Sequence, residues 1–263
     1  MQYNGTVTFQ LLLTNDDGIA SPGIAALRRA LEGLGQVTTL APAENSSAVA
    51  RGVTIDRALR LERTTFGGGY EGFALDGTPS DCVRVALLGV VTPVPDLVVS
   101  GINMGANLGA DVTYSGTVGA ALEAALRGGA GIALSVESRE PRWLDEAIPL
   151  VRAIVRRAIE YGVPAQTVLN VNLPDAPAAE IRGVRPARLG GASCHDRVTL
   201  VGEGAGEYFV PCDGPVSAPG VDTDFEVVAA GAVALTPLRY DLLDAGLLAD
   251  LSAWDLDLEA VRG

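Results

Sequence analysis

A chain of 263 residues, 48 % of them hydrophobic and 19 % charged, is long enough to bury one large core, and its composition excludes an intrinsically disordered protein. Its 32 acidic against 19 basic side chains leave a formal net charge of −13, the wrong sign for tracking a long nucleic acid. Every basic residue is Arg, so the chain has no Lys for a Walker-A loop, a pyridoxal Schiff base or a kinase phosphate contact.

The N-terminal stretch Met-Gln-Tyr-Asn-Gly lacks a basic leader, and no apolar run approaches the ~18 residues of a membrane span, so a cytoplasmic protein with no membrane partner is expected. The first strong segment, Thr8 to Thr14, is an apolar run of the kind that forms a strand buried on both faces, and it ends in Asn15-Asp16-Asp17-Gly18. Ser21-Pro22 supplies an N-cap and a first-turn proline for a helix through Ile24, Leu27, Leu31 and Leu34, stopped by Gly35. Val37 to Leu40 reads as a second strand, and the Ser- and Ala-rich stretch from Ala41 to Gly52 as the loop leaving it. Thr78-Pro79-Ser80-Asp81 carries the pattern of a capped helix start.

Pro95 to Ser100 reads as another buried strand, which enters a glycine-rich loop. Ser115-Gly116-Thr117 opens a helix whose Val118, Ala121, Leu122, Ala125 and Leu126 recur at helical spacing until Gly128-Gly129. A strand over Ile132 to Val136, a helix over 144–161 and a strand over Thr167 to Val171 continue the alternation. Such alternation predicts an α/β fold: a mostly parallel sheet with helices on both faces and ligands gathered at the strands' carboxyl ends. Beyond about residue 175 the sequence turns Gly-, Pro- and Asp-rich, with short strand-like pieces at Arg197 to Val201 and Val227 to Pro237 and a helical tail. A core over 1–175 and an appendage over 176–263 are therefore expected.

Three loops bring oxygen-bearing side chains to strand ends: Asn15 to Gly18, Glu44 to Ser47, and Ser100 to Asn107. Hard divalent cations such as Mg²⁺ or Mn²⁺ prefer such ligands. Adjacent carboxylates in a desolvated crevice repel each other unless a cation or a shared proton compensates them, although Asn-Asp-Asp-Gly is also a common turn sequence. The Ser115-Gly116-Thr117 turn can hold an anion at the amino end of its helix, or simply cap it. Gly101, Gly105 and Gly109 do not form the dinucleotide-binding pattern and read as tight turns. Cys82, Cys194 and Cys212 suit neither a disulfide framework nor a zinc cage. The single His195 lacks triad partners and reads as structural or interfacial, and Arg156-Arg157 reads as a solvated helix face.

Taken as an ordered set, Leu12 to Ile19, Ala41-Pro42 with Ser47, Gly77 to Val83, Ser100 to Gly109 and Tyr114 to Glu123 resemble the SurE family, with a weaker continuation at Leu235 to Leu238. The resemblance implies a Rossmann-like catalytic core over 1–175 and a β-rich C-terminal extension over 176–263 that serves in a homodimer or homotetramer. It implies a metal-dependent 5′- or 3′-nucleotidase that hydrolyses nucleoside monophosphates by metal-activated water. One divalent ion, Mg²⁺ or Mn²⁺, would sit on Asp16, Asp17, Ser47 and Asn103, with Asp16 and Asp17 as the catalytic pair. The substrate phosphate would lie near Asn107, Ser115, Gly116 and Thr117. The alternative is a non-catalytic nucleotide- or metal-binding sensor module built on the same crevice. Two positions depart from the family pattern: Ala48 to Gly52 replaces a frequent Gly-His, and Met104 stands where relatives are often polar or basic.

Overall fold

Leucines 11, 12 and 13 are all buried, with alternate side chains entering different hydrophobic clusters, and they form the central strand β1 (Gln10–Thr14). The computed structural model describes residues 8–191, 199–200, 208–209, 221–251 and 254. Its remaining strands are β2 (Gln36–Pro42), β3 (Leu61–Phe66), β4 (Tyr70–Leu75), β5 (Leu97–Met104), β6 (Ala130–Val136), β7 (Thr167–Leu173), β8 (Val184–Pro186), β9 (Thr199–Leu200), β10 (Tyr208–Phe209) and β11 (Val233–Leu238). The helices are α1 (Pro22–Ala30), α2 (Pro79–Val85), α3 (Gly116–Leu126), α4 (Leu144–Tyr161), α5 (Asp224–Ala229) and α6 (Ala245–Leu251).

Nine of these strands form one sheet in the order β3-β4-β2-β1-β5-β6-β7-β11-β8. The six from β4 to β7 run parallel. β3 and β11 run antiparallel to their neighbours β4 and β7, and β8 runs parallel to β11. Helices α1 and α4 pack together on one face, and α2 and α3 on the other. Leu11, Leu13, Ile24, Leu27, Val99 and Val151 fill the first interface, while Leu12, Leu40, Val83, Val98 and Ala120 fill the second. The expected α/β architecture is therefore present, and β8 and β11, both beyond residue 175, extend its sheet.

The local signals act as expected at three helix starts. Ser21 caps α1 by accepting from the Ile24 N–H at 3.3 Å, and Ser115 caps α3 through the Val118 N–H at 3.1 Å. Thr78 and Asp81 form a reciprocal capping box on α2. Pro149 lies inside the continuous helix α4, which starts beside Asp175, whose carboxylate accepts from the Arg142 and Trp143 N–H groups at 3.1 Å.

Three elements differ from expectation. The strand-like reading of Val227 to Pro237 gives way to helix α5 followed by β11, because Thr223 and Glu226 make a capping box that starts a helix there. Strand β5 does not stop at Ser100. It runs on to Met104 with a register shift against β6, which places Asn103 opposite Ser135. The hairpin of β3 and β4, joined across Gly67 to Gly69, received no assignment from the sequence. Cys82 is a buried free thiol, whereas Cys194, His195, Cys212 and most of the strand-like stretch at Arg197 to Val201 lie outside the described residues. Arg156 and Arg157 are exposed and face Glu160 at 3.8 and 3.0 Å, a solvated helix face as expected. No helix among the described residues is long and apolar enough to cross a membrane.

Candidate active site

The chain leaves β1 toward β2 on one side of the sheet, while β5 lies on the other side of β1. This reversal makes a topological switch point, where the loops leaving adjacent parallel strands part and open a crevice. The loop after β1 carries Asp16 and Asp17, and the end of β5 with its following loop carries Asn103 and Asn107. Helix α3 aims its amino end at the same place. Gly116 sits so close to Asp16 that a Cβ there would lie 2.8 Å from the Asp16 Cβ and 2.9 Å from its Oδ2. Only the missing side chain allows this approach.

Asp16 is 3 % exposed, and burial pushes its carboxyl up to about 6. The Asp17 charge pushes the same way, and the Thr117 hydroxyl and N–H both oppose the shift by donating to the carboxylate. Thr117 was expected among the phosphate donors; its donors are directed at Asp16. Asp17 is half-buried and also shifted upward by burial, against which the Met104 N–H acts. Its Oδ2 is buried and has no hydrogen-bond partner. The carboxylate pair thus links three elements: the loop after β1 carries it, α3 holds Asp16, and the end of β5 faces Asp17.

The loop with Ser47 is tied to this centre through its neighbours. The Ser46 N–H donates to the Asp16 carbonyl oxygen at 2.7 Å, and the Ala50 N–H to the Tyr114 carbonyl oxygen at 3.1 Å, just before α3. Ser47 itself is exposed, and its N–H and hydroxyl both donate to Asn45 Oδ1, at 2.8 and 2.7 Å. Asn103 donates its amide to the Gly105 carbonyl oxygen at 2.7 Å, which leaves Oδ1 as its acceptor. Ser115 and Gly116 are buried at the amino end of α3, and the Gly116 N–H belongs to the first helical turn, which has no intrahelical acceptor. Met104 packs its side chain toward α1, where its Cε lies 3.1 Å from the point a Cβ on Gly23 would occupy. Gly101, Gly105 and Gly109 all have positive φ. Gly105 and Gly109 follow β5 in keeping with the tight-turn reading, whereas Gly101 lies inside β5, where its register against β6 shifts, and is not a turn residue.

Asn107 is buried in a polar knot that the sequence reading missed. Its Nδ2 donates to Ser135 Oγ at 2.8 Å and its N–H to Asn172 Oδ1 at 2.8 Å, while its carbonyl oxygen accepts from Asn170 and Asn172 at 2.9 and 3.0 Å. Asn170 and Asn172 are both fully buried on β7. Two amides at alternate positions of an otherwise apolar buried strand were the available signal.

The side chains present fit a hard cation. A buried carboxylate oxygen without a partner, beside a second desolvated carboxylate, leaves negative charge uncompensated by protein. No group of three or more His, Cys, Asp or Glu among the described residues could hold a metal, so a cation here would rely on two carboxylates with hydroxyl, amide and water oxygens.

Comparison with known proteins accords with this geometry. The model of the family described as Survival protein SurE matches residues 11–196. The chain is 40 % identical over 247 residues to the 5′-nucleotidase SurE of Methylococcus capsulatus, covering 93 % of this chain and 96 % of that one. It is 42 % identical over 252 residues to the 5′-nucleotidase SurE of Azotobacter vinelandii, covering 95 % and 99 %. Among solved structures, the SurE protein of Aquifex aeolicus superposes with a TM-score of 0.79 at 36 % identity over 93 % of this chain and 98 % of that one. With the same motifs along the chain and the same fold over nearly its whole length, the protein belongs to the SurE family.

Proposed function

We propose that the protein is a metal-dependent 5′- or 3′-nucleotidase, a phosphatase that releases inorganic phosphate from nucleoside monophosphates. The observation that carries this reading is the meeting of Asp16 and Asp17 with the amino end of α3 at the switch point. Carboxylates suit a divalent cation, and a helix amino end suits a phosphate. The nucleotidases of Methylococcus capsulatus and Azotobacter vinelandii, similar over nearly their whole lengths, support the same activity.

Asp16, Asp17, Ser47 and Asn103 would hold one Mg²⁺ or Mn²⁺ ion. Such an ion polarises a phosphoryl oxygen and lowers the pKa of water. The protein's own contribution is orientation and charge placement. Thr117 fixes the Asp16 carboxylate by donating to it, so the acceptor direction is set before substrate arrives. The Gly116 N–H and the Ser115 hydroxyl provide donors for the oxygens of a phosphoryl group, where charge grows during transfer. Asn107, held by Ser135 on β6 and Asn172 on β7, would line the same crevice from the β5 side. The exposed Leu242, Leu243, Leu247, Leu248 and Trp254 near the C-terminus support assembly as a homodimer or homotetramer.

The test is phosphate release from AMP and from p-nitrophenyl phosphate by chelated protein, before and after Mg²⁺ or Mn²⁺ is restored. Turnover should appear only with metal and vanish in an Asp16→Ala, Asp17→Ala variant. Stoichiometric nucleotide binding with no phosphate released over hours would make the protein a sensor module instead.

A further inference from the structure

The segment from Asn107 to Gly109 is anchored residue by residue from outside the crevice. The backbone of Asn107 is held by Asn170 and Asn172 on β7. Leu108 packs into an apolar cluster with Val227 and Val228 of α5 and Ala234 of β11. The Gly109 N–H donates at 2.8 Å to Oδ2 of Asp224, the first residue of α5.

Asp224 is fully buried, and no basic side chain among the described residues pairs with it. Removing a carboxylate from water without a counter-ion is costly unless several donors satisfy it. Helix α5 does not require this carboxylate for its own start, because Thr223 and Glu226 already cap it reciprocally at 3.3 and 3.4 Å. The donors that Asp224 collects lie mostly elsewhere in sequence. Oδ2 takes the Gly109 N–H, and Oδ1 takes the Gly190 N–H at 2.8 Å together with the Phe225 N–H at 3.1 Å. The Asp224 N–H in turn donates to the Arg188 carbonyl oxygen at 2.9 Å. The charge therefore joins the end of the site loop to a segment lying far along the chain.

We propose that Asp224 is a positioning residue for the reaction: it fixes Gly109, and through the short Asn107–Gly109 segment it fixes the direction in which Asn107 faces the crevice. This assignment rests on the nucleotidase reading for its kinetic consequence, and on the hydrogen bonds alone for its structural one. It makes α5 part of the catalytic support and not solely an assembly element.

Asp224→Asn keeps the shape but replaces one accepting oxygen with an amide donor; the remaining oxygen satisfies most donors when it faces the Gly190 and Phe225 N–H groups, so Gly109 loses its acceptor. Thr223→Ala serves as the control, weakening the start of the same helix while leaving the carboxylate in place. In hydrogen-exchange mass spectrometry of the full chain, peptides over 105–109 should exchange at least tenfold faster in Asp224→Asn, with peptides of β1 and β6 unchanged. In the AMP assay, KM should rise at least fivefold along with a fall in kcat, because a smaller folded fraction would lower apparent kcat and leave KM unmoved. Thr223→Ala should keep wild-type KM and wild-type exchange at 105–109. Wild-type KM and exchange in Asp224→Asn, or the full effect in Thr223→Ala, would overturn the proposal. If the wild-type protein releases no phosphate from AMP, the nucleotidase reading falls, and the exchange comparison still decides the role of Asp224. Should Asp224→Asn not fold, the wild-type amide of Gly109 decides: protection like that of β5 is expected, and open-loop exchange would mean that the anchor does not operate.

Discussion

The Thr117 hydroxyl donates to the Asp16 carboxylate, joining the first turn of α3 to the loop that leaves β1. The contact is buried and partly offsets the desolvation of Asp16. Thr117→Val removes the donor and keeps the shape. The variant should lose about 1–3 kcal/mol of stability in chelated protein at pH 7–8, measured by urea unfolding, because a buried carboxylate loses a partner. It should also shift the acidic limb of the pH–activity profile upward, since the lost bond had been lowering the Asp16 pKa.

Asp16 itself sets a pH dependence whose sign is fixed. Its carboxyl stands at about 6 in the fold against an ordinary 3.8, so the unfolded chain gives up this proton first as pH rises. The contribution is therefore present below pH ~4, is lost progressively between pH ~4 and ~6, and at pH 7 leaves a destabilisation of about 2–3 kcal/mol in metal-free protein. Asp16→Asn should remove that loss, making the chelated variant more stable than wild type at pH 7 and similar to it near pH 3.5. Thermal melts across this range in chelator would show it, and a chelated variant less stable than wild type at pH 7 would contradict the assignment.

Metal should reverse that order. Ions bound only by the folded state add stability by mass action, about 2.7 kcal/mol at a hundredfold excess over Kd. Mn²⁺ should therefore raise the wild-type Tm, and Asp17→Asn should erase the increase, because it neutralises the carboxylate whose Oδ2 lacks a protein partner. Differential scanning fluorimetry with and without Mn²⁺ reads this directly.

Gly116→Ala opposes two effects. Alanine in a helix is intrinsically better than glycine by up to about 1 kcal/mol. Its methyl group, however, would lie 2.8 Å from the Asp16 Cβ, and both partners are buried. The clash should win, with a net cost of about 1–3 kcal/mol in unfolding experiments and loss of nearly all phosphate release.

Much of this arrangement is legible in the sequence, because its signals are local. Caps at Ser21, Thr78 and Ser115 fix helix starts within a few residues, and an apolar run ending in adjacent Asp residues marks a strand delivering charge to the sheet edge. What escapes local reading depends on distant partners. The direction of Thr117 depends on how closely Gly116 approaches Asp16. Asn170 and Asn172 acquire their function only when β7 lies beside β6 and the loop after β5 folds over them. The stretch from Val227 to Pro237 has strand-like composition throughout, and the capping pair at its entrance, Thr223 and Glu226, turns its first part into helix.

The anchoring of Gly109 by Asp224 also bears on when the protein becomes competent during its synthesis. Asp16, Asp17 and Asn103 leave the ribosome well before the carboxylate that steadies their neighbouring loop. Nascent chains arrested before α5 should therefore carry the first strands, with Asn107 already held by β7 but the Gly109 N–H without its acceptor, and full turnover should emerge only once α5 has been made.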